Sequence, residues 1–62
     1  MTTYYSVPTA MRSDVDYGAT LNGQLKPAWQ MCGPHRWMFP VQDDEWEVWL
    51  VLRFGGLGLV KH

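Results

Sequence analysis

Hydrophobic and polar positions alternate most regularly in an apolar run late in the chain, residues 45–54. Every second side chain of this run is apolar and falls on one face, whereas the opposite face carries charges at both ends. The apolar positions are Trp46, Val48, Leu50, Leu52 and Phe54. Because the side chains of a strand point alternately to its two faces, this period of two predicts a strand over 45–54. We expect this strand to be the centre of a small sheet.

The same run also has features of a helix. Asp44 and Glu47 have the spacing of a capping box, Arg53 would lie in the last turn, and Gly55 would end the helix. A helical period accounts for only about half of the apolar positions, and valine and tryptophan side chains favour strands. The strand is therefore the preferred interpretation.

A second alternation, over residues 35–41, places its apolar side chains on one face and predicts another strand. A four-residue loop, 42–45, would join it to the run 45–54 as a hairpin in which Phe39 lies opposite Val48. This register matches one apolar face with the other, whereas a slip by one residue would not.

Two further segments complete the predicted sheet. Residues 57–61 follow the turn at Gly55 and Gly56 and form a short last strand. Residues 3–7 are aromatic and β-branched, and they are the candidate for another strand that Pro8 would end.

The first half of the chain carries weaker signals. Residues 9–17 fit two helical turns between Pro8 and Gly18, with an irregular loop as the alternative. The pair Asn22-Gly23 fits a two-residue hairpin turn, with a plain loop as the alternative. The sequence therefore predicts an α+β fold: a small antiparallel sheet with a short helix or irregular segment from the first half packed on one face.

Length and composition limit the class of protein. The 62 residues form a single domain, 1–62, and a chain this short is marginally stable unless its core is dense. One cysteine excludes an internal disulfide, and an aromatic content of 15% supplies the core instead. A net charge of -1 does not recruit nucleic acid or an anionic membrane. Without a signal peptide or a membrane-spanning run, we expect a soluble, cytoplasmic protein.

Candidate catalytic and metal-binding residues are few. Cys32 and His35 are separated by two residues, but a structural zinc site needs four ligands, and His62 is the only other histidine. A catalytic thiolate would need an orienting third group, which the sequence does not identify. The glycines of residues 55–58 lack the lysine of a phosphate-binding loop. We therefore predict a non-enzymatic protein without catalytic, metal-binding or cofactor-binding residues.

Acidic residues cluster at the predicted hairpin bend, at Asp43, Asp44, Glu45 and Glu47. The structural interpretation is a solvated bend that keeps the hairpin soluble. The functional interpretation is a negative patch that docks on a basic surface of a larger partner. Trp49 shares a strand face with two of these acids and would be the apolar anchor of the interface; a second core layer beneath residues 9–33 is the alternative. These five side chains are the predicted partner-binding residues.

The leading hypothesis is a non-enzymatic inhibitor or modulator that occludes a basic surface of a larger protein, such as a nucleic-acid-binding complex. In size, single-domain organisation and aromatic-plus-acid composition, the chain resembles small inhibitor proteins of phages and mobile elements, including anti-CRISPR proteins. This resemblance is one of general character and assigns no residue. One alternative is a subunit of a homo-oligomer that self-associates through an open sheet edge. The least favoured alternative is a nucleic-acid-binding protein that uses Arg12, Arg36, Arg53 and Lys61.

Overall fold

A computed structural model describes residues 1–62 as a four-stranded antiparallel sheet with two helices. The elements are β1 (Thr3–Pro8), α1 (Arg12–Leu21), β2 (Gln30–Gly33), β3 (Arg36–Val41), α2 (Asp44–Phe54) and β4 (Val60–Lys61), and a single 3-10 turn (Thr9–Met11) precedes α1. The strand order across the sheet is β2-β3-β1-β4. The predicted α+β class, with a helix from the first half of the chain packed on the sheet, is confirmed.

The core lies between one face of the sheet and both helices. β1 and β3 pair antiparallel, with Tyr5 opposite Phe39 and Val7 opposite Trp37. Odd-numbered residues of β1 and β3 lie on the same face of the sheet, where they join side chains of both helices in one buried cluster. That cluster comprises Tyr5, Val7, Val15, Ala19, Phe39, Val41, Trp46, Leu50 and Phe54. The fold is therefore two layers, with both helices on the same side of the sheet.

The run 45–54 is a helix, and its prediction as a strand is wrong. Asp43 caps α2, because its Oδ1 accepts a hydrogen bond of 2.9 Å from the backbone N–H of Trp46. The buried side chains Trp46, Leu50 and Phe54 recur every four residues, which places them on one helical face. The period of two misled because α2 also carries apolar residues on its exposed face, so that the helical period is hidden.

The predicted hairpin between 35–41 and 45–54 is wrong for the same reason. The strand over 35–41 is confirmed as β3, but its neighbours in the sheet are β1 and β2. The partner strand β1 lies some thirty residues earlier in the chain, a distance that no local pattern could indicate. The strand over 3–7 is confirmed as β1, whereas the one over 57–61 is reduced to the two residues of β4, which pair with β1.

Helix α1 extends beyond its predicted end. Gly18 lies inside the helix, and the pair Asn22-Gly23 ends it instead of forming a hairpin turn. The Asn22 side chain donates a hydrogen bond of 2.7 Å to the carbonyl of Gly18, and Gly23 adopts a φ of 68°. A residue with positive φ after the last turn is a common helix ending, so the same two residues fit either structure. Neither helix of the fold is long and apolar enough to cross a membrane.

Candidate functional site

The acidic cluster lies at the start of α2, where each carboxylate has a different environment. Asp43 is the capping residue, and its side chain is committed to the hydrogen bond with Trp46. Asp44 and Glu45 are exposed in the first turn of α2. Carboxylates in a first turn stabilise a helix through its dipole, typically by about 0.3–1 kcal/mol each. The cluster therefore contributes to the formation of α2, whatever else it does.

Glu47 faces the sheet. It accepts a hydrogen bond of 2.6 Å from the hydroxyl of Tyr5, which is only 4% exposed. Burial, together with this hydrogen bond and the negative charge of Glu47, raises the pKa of Tyr5 from 10.0 to about 12. Glu47 therefore connects α2 to β1, and its carboxylate is engaged by Tyr5.

Trp49 packs between the two helices. Its ring stacks on Trp46, with centroids 5.4 Å apart, and meets the ring of Phe54 edge-on at 5.8 Å. A Cβ atom at Gly18 of α1 would lie 2.5 Å from the Trp49 ring, so this glycine permits the close approach of the helices. Trp49 is half-buried here, and its role as a binding anchor stays a prediction.

An exposed apolar stripe on α2 is the feature that the sequence analysis missed. Val48, Val51 and Leu52 are 56%, 45% and 82% exposed. At 100° per residue these three side chains share one side of α2 with Asp44 and Glu45. We call these five residues the outer face of α2. Two apolar stripes, 46-50-54 inward and 48-52 outward, interleave in the sequence, and a search for spacings of four residues would have separated them.

A groove of about 700 Å³ adjoins the outer face of α2 and runs between the two helices. Six of its eight lining residues are apolar, and Leu52 belongs both to the groove and to the outer face. The lining residues are Asp14, Tyr17, Leu21, Trp49, Leu52, Arg53, Phe54 and Leu57. Tyr17, Leu21 and Leu57 are each more than 60% exposed, so the apolar surface continues across the groove from α2 to α1.

The residues considered for catalysis or metal binding lie apart from this surface. Cys32 and His35 are exposed around the turn between β2 and β3, and His35 has a φ of 62°. No group of three or more His, Cys, Asp or Glu side chains is placed to hold a metal ion.

A polar cluster that the sequence did not indicate surrounds Ser6. Its Oγ lies 2.7 Å from Nε2 of His62 and accepts hydrogen bonds from Arg36, whose guanidinium also donates to the carbonyl oxygens of Ser6 and Gly58. Because Ser6 is fully buried, this hydroxyl has no open side from which a substrate could approach. The cluster therefore ties the segment around Gly58 to β1.

The basic residues considered for nucleic-acid binding lie on different elements. The Arg12 guanidinium carbon lies 4.0 Å from the ring centroid of Trp37 and 5.1 Å from that of Trp29, in cation–π contacts. Arg36 is held by Ser6 and Gly58, on β3. Arg53 lies 5.9 Å from the Trp49 centroid at the end of α2. Lys61 lies on β4, so the four basic residues are distributed over four different elements.

No protein-family model, curated protein or solved structure matches this chain.

Proposed function

We propose that the protein is a non-enzymatic binding protein that docks on a larger partner protein through the outer face of α2. The observation that supports this proposal is the exposed stripe of Val48, Val51 and Leu52 on a helix whose opposite side is already buried. A surface helix usually keeps its exposed side polar, and a helix that is apolar on both sides is typically covered on both. Burial of one such side chain is worth about 1.5–3 kcal/mol, which gives a partner a substantial driving force.

The charge at one end of the outer face defines the chemistry of the partner. Asp44 and Glu45 precede the apolar stripe on the same side of the helix, and both are exposed. The complementary surface would have an apolar patch with basic side chains along one rim. Such charges accelerate encounter and select the orientation of docking. Of the predicted partner-binding residues, Asp44 and Glu45 are thus the best placed, whereas Asp43, Glu47 and Trp49 would act by shaping and holding α2.

An inhibitor or modulator of the kind made by phages and mobile elements fits this geometry. A small protein with a single docking face acts on a larger one by covering a surface that the larger protein needs. Basic surfaces that must stay open are typical of nucleic-acid-binding complexes, so an acidic and apolar face would compete there with nucleic acid. We place this interaction in the cytoplasm, where a protein with a single, exposed cysteine stays reduced.

The test compares the outer face with matched positions elsewhere on the surface. Leu52→Ser removes an apolar side chain that is 82% exposed, and Leu25→Ser removes one that is 92% exposed in the loop after α1. A partner is first obtained by affinity capture from the native host, and binding is then measured with the purified captured protein. We expect Leu52→Ser to weaken this binding at least tenfold and Leu25→Ser to leave it unchanged. Equal binding by both variants would remove the outer face from the proposal.

The contribution of the acids is tested in the same reconstituted complex. Asp44→Asn with Glu45→Gln should reduce the association rate at low salt, and the effect should fade as salt is added, because exposed charges are screened. Lys26→Gln, which neutralises an exposed charge in the loop after α1, is the control and should leave the rate almost unchanged. If the double variant associates as fast as the wild type at low salt, the partner does not present a basic surface.

Self-association through an open sheet edge has less support from the geometry. The edge strand β4 has two residues, and the other edge strand, β2, has four with a shift of register between Met31 and Gly33. Short and irregular edge strands are features that prevent pairing with another sheet. Association of two copies is better argued from α2.

A further inference from the structure

We infer that two copies of this chain pair through the outer face of α2 in an antiparallel dimer, and that this dimer covers the docking face until a partner displaces it. The regulatory part of this inference rests on the proposed function, whereas the pairing of two copies does not. The proposed occupant is a second copy, because α2 carries acidic residues in its first turn and a basic residue in its last.

The charge pattern of α2 is asymmetric along its length. Asp44 and Glu45 lie in its first turn, and Arg53 lies in its last. In a two-fold symmetric interface each contact occurs twice, so an antiparallel pair brings the start of each helix to the end of the other. A parallel pair would instead place acids against acids. The helix therefore favours the antiparallel arrangement, with the apolar stripe at its centre.

The angular positions of Glu45 and Arg53 around α2 are also compatible with the antiparallel pair. Glu45 and Arg53 are eight residues apart, which separates them by about 80° around α2. Glu45 borders the apolar stripe, and Arg53 lies beyond it on the same side of the helix, in the groove next to Trp49. A two-fold axis perpendicular to antiparallel helices brings the same flank of both copies together. If Val48 of one copy packs against Leu52 of the other, Arg53 lies opposite position 47, within about 3 Å along the axis of Glu45. In the dimer the long Arg53 side chain would leave the Trp49 ring and turn toward the second copy, so that two Glu45–Arg53 pairs flank the contact.

The available area suits a weak dimer. A standard specific interface buries about 800 Å² on each partner, nearly a fifth of the 4236 Å² exposed by this chain. The outer face spans a helix only about 16 Å long, so it supplies part of that area. The exposed side chains of Tyr17, Leu21 and Leu57 continue the apolar surface across the neighbouring groove. An interface at the small end of the range gives a reversible dimer, which a better-matched partner can displace.

Dimerisation would regulate docking through concentration. Only the monomer presents the outer face of α2, so the apparent dissociation constant for the partner rises as the monomeric fraction falls. A variant that stays monomeric should therefore bind the partner as tightly at high as at low protein concentration.

A charge-swap experiment on the purified full chain tests the pairing. Sedimentation velocity from low micromolar to millimolar concentration should show reversible dimers of the wild type. Arg53→Glu places a carboxylate opposite Glu45 of the second copy, and Glu45→Lys places an ammonium opposite Arg53. Each variant alone should dimerise at least tenfold more weakly than the wild type, whereas an equimolar mixture of the two should recover the wild-type affinity because both flanking pairs are again opposite in charge.

Control variants and folding checks make every outcome decisive. Lys26→Glu, an exposed charge reversal in the loop after α1, should leave dimerisation unchanged. Circular dichroism of each variant establishes that α2 is still folded before its mass is interpreted. A wild type that stays monomeric throughout, or a mixture that fails to recover, would overturn the antiparallel dimer. Neither result affects the proposed docking function, which the Leu52→Ser comparison tests separately with a captured partner.

Discussion

The hydrogen bond between Tyr5 and Glu47 is expected to be a main stabilising contact between the sheet and α2. Tyr5→Phe keeps the buried ring and removes only the hydroxyl, which donates to the Glu47 carboxylate at 2.6 Å. A hydrogen bond to a charged group contributes about 1.5–3 kcal/mol to stability. Because Glu47 is half-exposed and regains water when the hydroxyl is lost, we expect Tyr5→Phe to lower the free energy of unfolding by about 1–2 kcal/mol at pH 7.

The same contact predicts a dependence on alkaline pH. Burial, the hydrogen bond and the charge of Glu47 raise the pKa of Tyr5 to about 12, above the ordinary value of 10.0 that applies in the unfolded chain. The neutral phenol therefore stabilises the fold fully below pH 10, and this contribution is lost as the pH rises from 10 to about 12. A difference of that size corresponds to at most about 2.7 kcal/mol, which solvent screening near Glu47 reduces further. The stability gap between the wild type and Tyr5→Phe should therefore close over that window.

Urea unfolding followed by tryptophan fluorescence measures both effects. With a slope of about 1 kcal/mol per M for a chain this small, Tyr5→Phe should move the midpoint down by about 1–2 M at pH 7. Tyr17→Phe is the matched control, because Tyr17 is 67% exposed and makes no comparable hydrogen bond. The reasoning is refuted if Tyr5→Phe and Tyr17→Phe unfold at the same urea concentration at pH 7, or if the gap between the wild type and Tyr5→Phe persists unchanged at pH 12.

Three further substitutions test other contacts of the fold. Asp43→Ala should lower the unfolding free energy by about 1 kcal/mol through loss of the α2 cap, and Asp43→Asn should retain most of it; equal stabilities of the two would contradict the cap. Gly18→Val should lower the free energy of unfolding by about 1–3 kcal/mol, because its side chain displaces the Trp49 ring. The near-ultraviolet circular dichroism of the tryptophans should change as well, and an unchanged spectrum would mean that the helices are not in close contact. Ser6→Ala should cost about 1–3 kcal/mol in urea unfolding, since Arg36 loses a buried acceptor, whereas the exposed Ser13→Ala should cost nothing measurable.

An element with one apolar face could be predicted from the sequence, whereas an element with two apolar faces was predicted wrongly. The strand β3 was recognisable because its core-facing residues alternate with Arg36, Met38 and Pro40, so that one face is distinct from the other. The run 45–54 has apolar side chains on both sides of a helix, and any two interleaved stripes four residues apart produce a period of two. The local helix signals in the sequence, a capping box at Asp44 and Glu47 with Arg53 and Gly55 at the other end, weigh less than the alternation of apolar positions, and the residue that caps α2 is Asp43.

The remainder of the fold depends on contacts between distant segments. Glu47 meets Tyr5 across forty-two positions of the chain, and β1 inserts between β3 and β4, neither of which a local pattern reveals. For the same reason the sequence reveals the acidic cluster but does not show which of its carboxylates are hydrogen-bonded within the fold and which are free. Asp44 and Glu45 are exposed in the folded chain, whereas Glu47 is bound by Tyr5 of β1.

The polar cluster around Ser6 has a consequence for the order in which the structure opens. β4 contributes only two residues to the ladder with β1. The segment after Gly58 is otherwise held by the Arg36 guanidinium, by the contacts of His62 with Ser6 and Tyr4, and by the packing of Leu59 against the core. Few backbone bonds hold it, and such segments open with small free energies while the rest of a domain stays intact. Amide protons of this segment should exchange with solvent well before those of β1 and β3, and the newly bared side of β1 would then be the first backbone that a second strand could reach.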